Sequence, residues 1–118
     1  MQRRTLLECA LAAASSAIRL PAAAGTGARV LPVLPPGPGN PRNTEGDFLQ
    51  LKDGRILFAY TKFTGGGGDH DVAHIAARYS SDQGETWTTD DTTLLDNEGG
   101  MNVMSVSLLR LRSGRIAF

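Results

Sequence analysis

The chain has 118 residues with 12 basic and 12 acidic side chains, and 41% of its residues are hydrophobic. This balance is typical of a soluble globular protein and excludes a strongly basic nucleic-acid-binding protein. Fourteen glycines and six prolines disfavour a mainly helical fold. The only cysteine, Cys9, lies in a segment that we expect to be removed, so the mature protein should contain neither a disulfide nor a thiolate metal site.

Residues 1–24 have the order of a secretory signal peptide. A cationic start with Arg3 and Arg4 is followed by an apolar stretch rich in Ala and Leu, and then by the small residues Ala22–Ala24. The paired arginines also resemble a twin-arginine export signal. A buried N-terminal helix is the alternative, since Ala and Leu favour helices, but the apolar stretch is too short to span a bilayer. We predict cleavage after Ala24, a periplasmic or secreted protein, and no membrane span after cleavage.

The segment after the predicted cleavage site should be an extended lead-in. Removal of the signal peptide leaves nine basic and eleven acidic residues, which argues against a nucleic-acid partner. Residues 25–43 contain five prolines, which prevent helix formation and interrupt sheet pairing. We therefore place the folded domain at residues 44–118.

A hairpin pattern opens this domain and then recurs. Residues 48–52 and 55–61 form two apolar runs around Asp53-Gly54, a dipeptide typical of a two-residue type I′ hairpin turn. The same pattern returns at an offset of 60 in residues 108–118, where Ser113-Gly114 occupies the turn. A hairpin that recurs with matching turn chemistry indicates an internal repeat.

Two more strands are predicted between the copies of the hairpin. Residues 71–80 contain six apolar residues and can form a third strand; a helix is the alternative because alanine is common there, but the segment is short, uncapped and preceded by four glycines. Leu94-Leu95 can belong to a fourth strand. Four short antiparallel strands in a unit of about 60 residues outline one blade of a β-propeller. The fold class is therefore all-β, with about one and a half blades; a sandwich is the alternative, but it gives no reason for the repeat.

An eight-residue motif lies between the predicted third and fourth strands. Serine and aspartate at its start can hydrogen-bond backbone amides in a tight turn, its glycine can adopt positive φ, and its tryptophan can bury a ring that anchors the turn. The motif matches every fixed position of the Asp-box, and residues 44–118 resemble the sialidase (neuraminidase)-like Asp-box, or BNR-repeat, family. The fixed positions are Ser80, Asp82, Gly84, Thr86 and Trp87.

The resemblance implies a six-bladed propeller, of which this chain would be an N-terminal fragment. In the family the Asp-box turns lie away from the active site, so the motif is structural. The family members are retaining glycosidases with a tyrosine nucleophile, and the resemblance places that tyrosine and the later arginines in downstream blades. It places the acid/base aspartate on the loop between the second and third strands, where Asp69 is the first candidate and Asp71 the second. His70 is either a partner that tunes Asp69 or a surface histidine.

The candidates for substrate binding lie around the predicted first strand. The family's first arginine belongs to an Arg-Ile-Pro motif, which Glu45-Gly46-Asp47 replaces here. Arg42, a few residues upstream, can reach the same place. Glu45 and Asp47 can bind sugar hydroxyls, act as catalytic carboxylates or be solvated loop charges, and Asn102 enters the second unit where ligand groups can project.

Carbohydrate is the expected partner, and no cofactor or metal is expected. Asp69, His70, Asp71 and His74 are potential metal ligands, but a strand would separate the two histidines by about 13 Å. The leading interpretation is an exported sialidase-like glycoside hydrolase that acts on glycans from their ends. The alternative is a non-catalytic Asp-box propeller that binds glycans or proteins, since Asp-boxes stabilise folds with many uses.

Overall fold

The computed structural model describes residues 34–118, so the predicted signal peptide and residues 25–33 of the lead-in lie outside the described residues. The described part is all-β, as the sequence predicts. It contains the strands β1 (Arg42–Gln50), β2 (Ile56–Phe63), β3 (Ala73–Ser80), β4 (Thr92–Leu95), β5 (Leu109–Arg110) and β6 (Ile116–Ala117). Strands β1 to β4 form one antiparallel sheet in chain order, and β5 pairs with β6 in a second sheet. Residues 34–118 contain no helix of the length and hydropathy needed to cross a membrane.

Strand β1 begins and ends earlier than the sequence predicts. Its polar first half pairs with β2 from Arg42, opposite Phe63, onward. Backbone pairing needs no apolar side chain, so the hydrophobic pattern missed these residues. A bulge interrupts the register at Glu45, whose φ is 23°. Strand β1 therefore includes Arg42 and Asn43, the last two residues of the predicted lead-in.

The β1–β2 turn differs from the predicted type I′ turn. The Leu51 N–H donates to the Arg55 carbonyl at 2.7 Å and the Gly54 N–H to the Leu51 carbonyl at 3.1 Å, which closes a three-residue loop. Gly54 has a φ of 88°, whereas Asp53 is not among the residues with positive φ. A three-residue loop needs one left-handed residue, usually glycine, rather than two. The predicted hairpin is present, but the prediction of a type I′ turn was wrong.

The second hairpin repeats this geometry sixty residues later. The Leu111 N–H donates to the Arg115 carbonyl and the Gly114 N–H to the Leu111 carbonyl, both at 2.8 Å. Gly114 has a φ of 83°. The repeat read from the sequence is therefore also a repeat of backbone conformation.

The core lies between one face of the sheet and the chain that follows β4. Alternate residues of β2 and β3 point to this face, and the cross-strand pairs Ala59–Ala77, Thr61–Ile75 and Phe63–Ala73 are all buried. Small side chains in β3 leave room for the covering chain: the Val103 N–H donates to the Ala73 carbonyl at 3.1 Å, and the Ser105 N–H to the Thr61 hydroxyl at 3.0 Å. The 71–80 segment is thus a strand, as predicted, because its alanines pack under residues 103–105.

The other face of the sheet carries an aromatic cluster. Phe48 stacks on Phe58 with ring centroids 4.3 Å apart, and Phe58 stacks on Tyr60 at 5.3 Å. Trp87 packs its edge toward Phe58 at 6.0 Å. A Cβ atom at position 46 would overlap the Phe58 ring, so glycine is required beside the bulge. The aromatic cluster therefore fixes both the bulged half of β1 and the position of Trp87.

Candidate functional site

The antiparallel order of the sheet brings three segments to one end. The start of β1, the β2–β3 loop (residues 64–72) and the segment after β4 all lie there, because β1 and β3 begin where β2 and β4 end. The β1–β2 turn and the turn between β3 and β4 lie at the opposite end. We call the first end the candidate site; four of the seven predicted catalytic and substrate-binding residues, Arg42, Asp69, Asp71 and Asn102, make contacts there.

The Asp-box turn at the opposite end is held by its own side chains. The Ser80 hydroxyl accepts the Gly84 N–H at 2.8 Å and donates to the Asp82 carboxylate at 2.8 Å. The carboxylate also accepts the Thr86 N–H at 2.8 Å and the Thr86 hydroxyl at 2.5 Å. The indole N–H of Trp87 donates to the Gly84 carbonyl at 3.2 Å. Trp87 is half-buried among the described residues, and each fixed position of the motif has a structural role.

These contacts stabilise the ionised form of Asp82. Hydrogen bonds from the Thr86 hydroxyl, the Thr86 N–H and the Ser80 hydroxyl lower the pKa of Asp82 to about 2. A carboxylate that accepts several hydrogen bonds holds its proton weakly. Asp82 therefore remains an anion at neutral pH, and its carboxylate serves the turn.

Arg42 and Asp69 form an ion pair at the candidate site. The Arg42 Nη1 atom lies 2.6 Å from the Asp69 Oδ1 atom and 3.1 Å from the Gly67 carbonyl oxygen. The guanidinium also lies over the Phe63 ring, with its central carbon 4.7 Å from the ring centroid. The Asp69 side chain is 70% exposed and that of Arg42 is 30% exposed. The first catalytic candidate and the candidate carboxylate-binding arginine are therefore neighbours, although 27 residues separate them.

The ion pair sets the protonation of Asp69. The hydrogen bond from Arg42, together with the charge of that guanidinium, lowers the pKa of Asp69 below its usual value of 3.8. A general acid needs the opposite shift. In the structure Arg42 therefore favours the ionised form of Asp69.

Asp71 closes the β2–β3 loop from within. Its carboxylate accepts the Gly68 N–H at 2.6 Å, and its own N–H donates to the Gly68 carbonyl at 3.1 Å. A Cβ atom at Gly66 would overlap the Asp71 carboxylate, while one at Gly67 would meet nothing within 4 Å. The glycine run thus lets the chain pass close to Asp71. The carboxylate of Asp71, the second catalytic candidate, holds the shape of the loop.

Asn102 holds the same loop from the far side. Its Nδ2 atom donates to the Asp69 carbonyl at 2.7 Å and to the Asp71 carbonyl at 3.2 Å. These contacts tie the segment after β4 to the backbone on both sides of His70. Asn102 therefore positions Asp69, the candidate acid, whereas the sequence had suggested that Asn102 contacts the substrate.

The other three predicted substrate-binding residues are Asp47, which binds backbone amides, and Glu45 and His70, which are exposed. Asp47 lies along β1, away from Asp69 in the register, and its two carboxylate oxygens accept the Phe48 N–H at 2.8 Å and the Leu108 N–H at 2.7 Å. Glu45 is exposed on the bulge and accepts the Thr44 hydroxyl at 2.7 Å. His70 is exposed beside Asp69. Asp47 is thus engaged with backbone, while Glu45 and His70 remain accessible to a ligand.

A groove runs beside the bulge of β1. Its volume is about 390 Å³, and its walls combine aromatic rings with polar groups. The lining residues are Leu34, Asn43, Thr44, Glu45, Gly46, Phe48, Phe58 and Tyr60. Glu45 is the one acidic side chain among these lining residues. This predicted substrate-binding residue therefore lies at a concave surface.

A charged cluster surrounds Asp91, and it was not predicted from the sequence. Its carboxylate accepts the Tyr60 hydroxyl at 2.6 Å, the Lys62 ammonium at 2.5 Å and the Arg78 Nε–H at 2.7 Å. Partial burial raises the pKa of Asp91, but the bonds from Lys62, Tyr60 and Arg78 outweigh it and bring the pKa to about 2. Lys62 and Arg78 are single charged residues in the mostly apolar strands β2 and β3, which is a weak signal for such a cluster, but nothing in the polar stretch before β4 distinguishes Asp91 from Asp90.

Comparison with known proteins assigns no family. The chain matches no protein-family model, and a search of curated proteins returns no relative. Within residues 34–118, no group of three or more histidine, cysteine and acidic side chains is placed to hold a metal ion.

Proposed function

We propose that this chain is the N-terminal part of an exported, sialidase-like glycoside hydrolase that removes sugars from the ends of glycans with retention of configuration. The observation that carries the proposal is the pairing of Arg42 with Asp69 at the end of the sheet opposite the Asp-box turn. That is the relation between catalytic end and structural turn that the resemblance implies. The blade and half-blade of this chain would join further blades in the full-length protein.

In this proposal Asp69 is the acid/base residue and Arg42 binds an anionic group of the sugar. Asp69 suits the role because its side chain is 70% exposed while its backbone is held by Asn102. A planar guanidinium binds carboxylates through two parallel hydrogen bonds, and the ring of Phe63 orients that plane. The nucleophile of such an enzyme would come from a downstream blade.

The test is Asp69→Asn in the full-length protein, compared on a glycoside with a poor leaving group and on an activated aryl glycoside. Loss of a general acid should slow the poor leaving group by about 10²–10⁴-fold and the aryl glycoside much less. Asp90→Asn, an exposed carboxylate beyond the Asp-box, is the matched control and should change neither rate. Small and equal effects of Asp69→Asn would transfer the role to Asp71 or Asp47.

The second candidate function is a non-catalytic propeller that binds glycans or proteins. The specific observation in its favour is that Arg42 keeps Asp69 ionised, and an ionised carboxylate has no proton to give. A binding module would retain glycans on an immobilised array without releasing sugar, and Asp69→Asn would leave its hydrolysis at zero. Hydrolysis of any glycoside by the unmutated full-length protein, lost in Asp69→Asn, would exclude this candidate.

A further inference from the structure

Arg42 has unused hydrogen-bonding capacity at the candidate site. Both of its polar contacts within residues 34–118, to Asp69 and to the Gly67 carbonyl, are made by Nη1. A guanidinium carries five N–H donors, so Nε and Nη2 meet no acceptor in this part of the chain. An incoming carboxylate that binds Nη1 and Nη2 together would compete with Asp69 for Nη1, whereas one that binds Nε and Nη2 would leave the ion pair intact.

Asp69 is free to lose this partner without moving its backbone. The Asn102 amide holds its carbonyl, and the hydrogen bonds between Asp71 and Gly68 close the turn around it. The charged or titratable groups beside the Asp69 carboxylate are Arg42 from β1 and His70 and Asp71 from its own loop, while Asn102 contributes an uncharged amide. Arg42 is the only one of these whose hydrogen bond to the carboxylate is present.

We propose that Arg42 is a ligand-operated switch on Asp69: an anionic group of the substrate takes the guanidinium, and the released carboxylate of Asp69 takes up one proton from solvent. This inference rests on the proposed function, because it needs a substrate bound at Arg42. The proton balance is simple, since the bound anion replaces Asp69 as the counter-charge of Arg42 and the carboxylate becomes a neutral acid. The general acid therefore exists only in the complex with an anionic sugar.

The switch selects substrates at the protonation step as well as at binding. A neutral glycoside that occupies the site leaves Arg42 on Asp69, so the acid stays ionised and the leaving group is not protonated. An acidic glycoside supplies both the contact to Arg42 and the added negative charge that favours the protonated form of Asp69. We expect discrimination between the two glycosides to appear in kcat and not only in KM.

Calorimetric titration of the full-length protein with N-acetylneuraminic acid tests the switch directly. Binding enthalpies measured at pH 5 in two buffers of different ionisation enthalpy give the number of protons taken up. We expect uptake of a substantial fraction of one proton with the acid and none with its methyl ester. Asp69→Asn should bind the acid and lose the uptake.

The outcomes separate this inference from the proposed function. Binding of the acid without proton uptake, together with hydrolysis that depends on Asp69, would overturn the switch and leave the glycosidase intact. Absence of hydrolysis on any glycoside would overturn the proposed function first. Arg42→Gln provides a second measurement: with the ion pair gone, the alkaline limb of the kcat/KM profile on a neutral glycoside with a poor leaving group, which reports ionisation of the general acid, should move to higher pH. An unchanged limb would also count against the switch.

Discussion

Ser80 is the buried residue of the Asp-box turn. Its hydroxyl is buried, accepts the Gly84 N–H and donates to Asp82. Ser80→Ala leaves the half-buried Gly84 amide without its partner and removes a hydrogen bond to the Asp82 carboxylate, which should lower the free energy of unfolding by about 1–3 kcal/mol. Ser81→Ala, next to it and exposed, should change stability by less than about 0.5 kcal/mol. Urea denaturation of the two variants side by side measures the difference, and equal values would mean that the hydroxyl does not hold the turn.

The glycine run of the β2–β3 loop contains one required and one permissive position. A Cβ atom at Gly66 would displace the Asp71 carboxylate from the Gly68 N–H, whereas Gly67 has open space. Gly66→Ala should therefore cost about 1 kcal/mol, the value of one hydrogen bond, and Gly67→Ala less than about 0.5 kcal/mol.

Hydrogen exchange of the Gly68 amide makes this prediction specific to the loop. The amide should exchange faster in Gly66→Ala and at the original rate in Gly67→Ala. Protection of Gly68 in both variants would show that the loop does not depend on Asp71.

The Asp91 cluster determines how the start of β4 is attached to the sheet. The Asp91 side chain is 15% exposed and joins Tyr60, Lys62 and Arg78 on neighbouring strands. Asp91→Asn removes the counter-charge of two cations and should lower the free energy of unfolding by about 1–3 kcal/mol. Asp90→Asn, exposed and adjacent, serves as the control and should be neutral within about 0.5 kcal/mol. Denaturant melts of both variants provide the comparison.

The same cluster gives stability a defined dependence on pH. The pKa of Asp91 is about 2 in the folded protein and about 3.9 in an unfolded chain. A carboxyl group with a lowered folded pKa stabilises the protein fully above its unfolded pKa, and this stability is lost as the pH falls through the folded value. The difference between the unmutated protein and Asp91→Asn should therefore shrink from pH 5 to pH 2. A difference that stays constant over this range would contradict the assignment.

At the scale of elements, what the sequence could predict followed from local chemistry. The existence of β2, β3 and the two hairpins was readable because apolar runs end at glycine-containing turns. The polar half of β1 was not readable, since residues 42–47 contain no apolar side chain that could mark a strand in the hydrophobic pattern. The turn type was missed because Asp53-Gly54 suits both a type I′ turn and a three-residue loop with one left-handed glycine, and the register of the strands decides between them.

At the scale of the whole molecule, the contacts that assemble the candidate site join residues far apart in the chain. Asp69 was found as a candidate from its place between two strands, but its partner Arg42 lies 27 residues earlier. Asn102 contacts the backbone of Asp69 from 33 residues away. No local pattern encodes contacts over such distances. The sequence could therefore name these residues as candidates, but it could not show that Asn102 holds the backbone of Asp69 or that Arg42 lowers the pKa of Asp69.

Asp47 is the clearest case of a long-range role, and it carries the last prediction. Its carboxylate accepts the N–H of Leu108, 61 residues away, and this bond is the main reason that its pKa lies below the usual value. Asp47→Ala should release the chain before β5 from the edge of β1, so the Leu108 amide should exchange with solvent about tenfold faster. Glu45→Ala, two residues away and exposed on the bulge, should leave that amide protected. Exchange of Leu108 that is unchanged in Asp47→Ala would return Asp47 to the list of ligand-binding candidates, because its carboxylate would then be free to bind sugar hydroxyls.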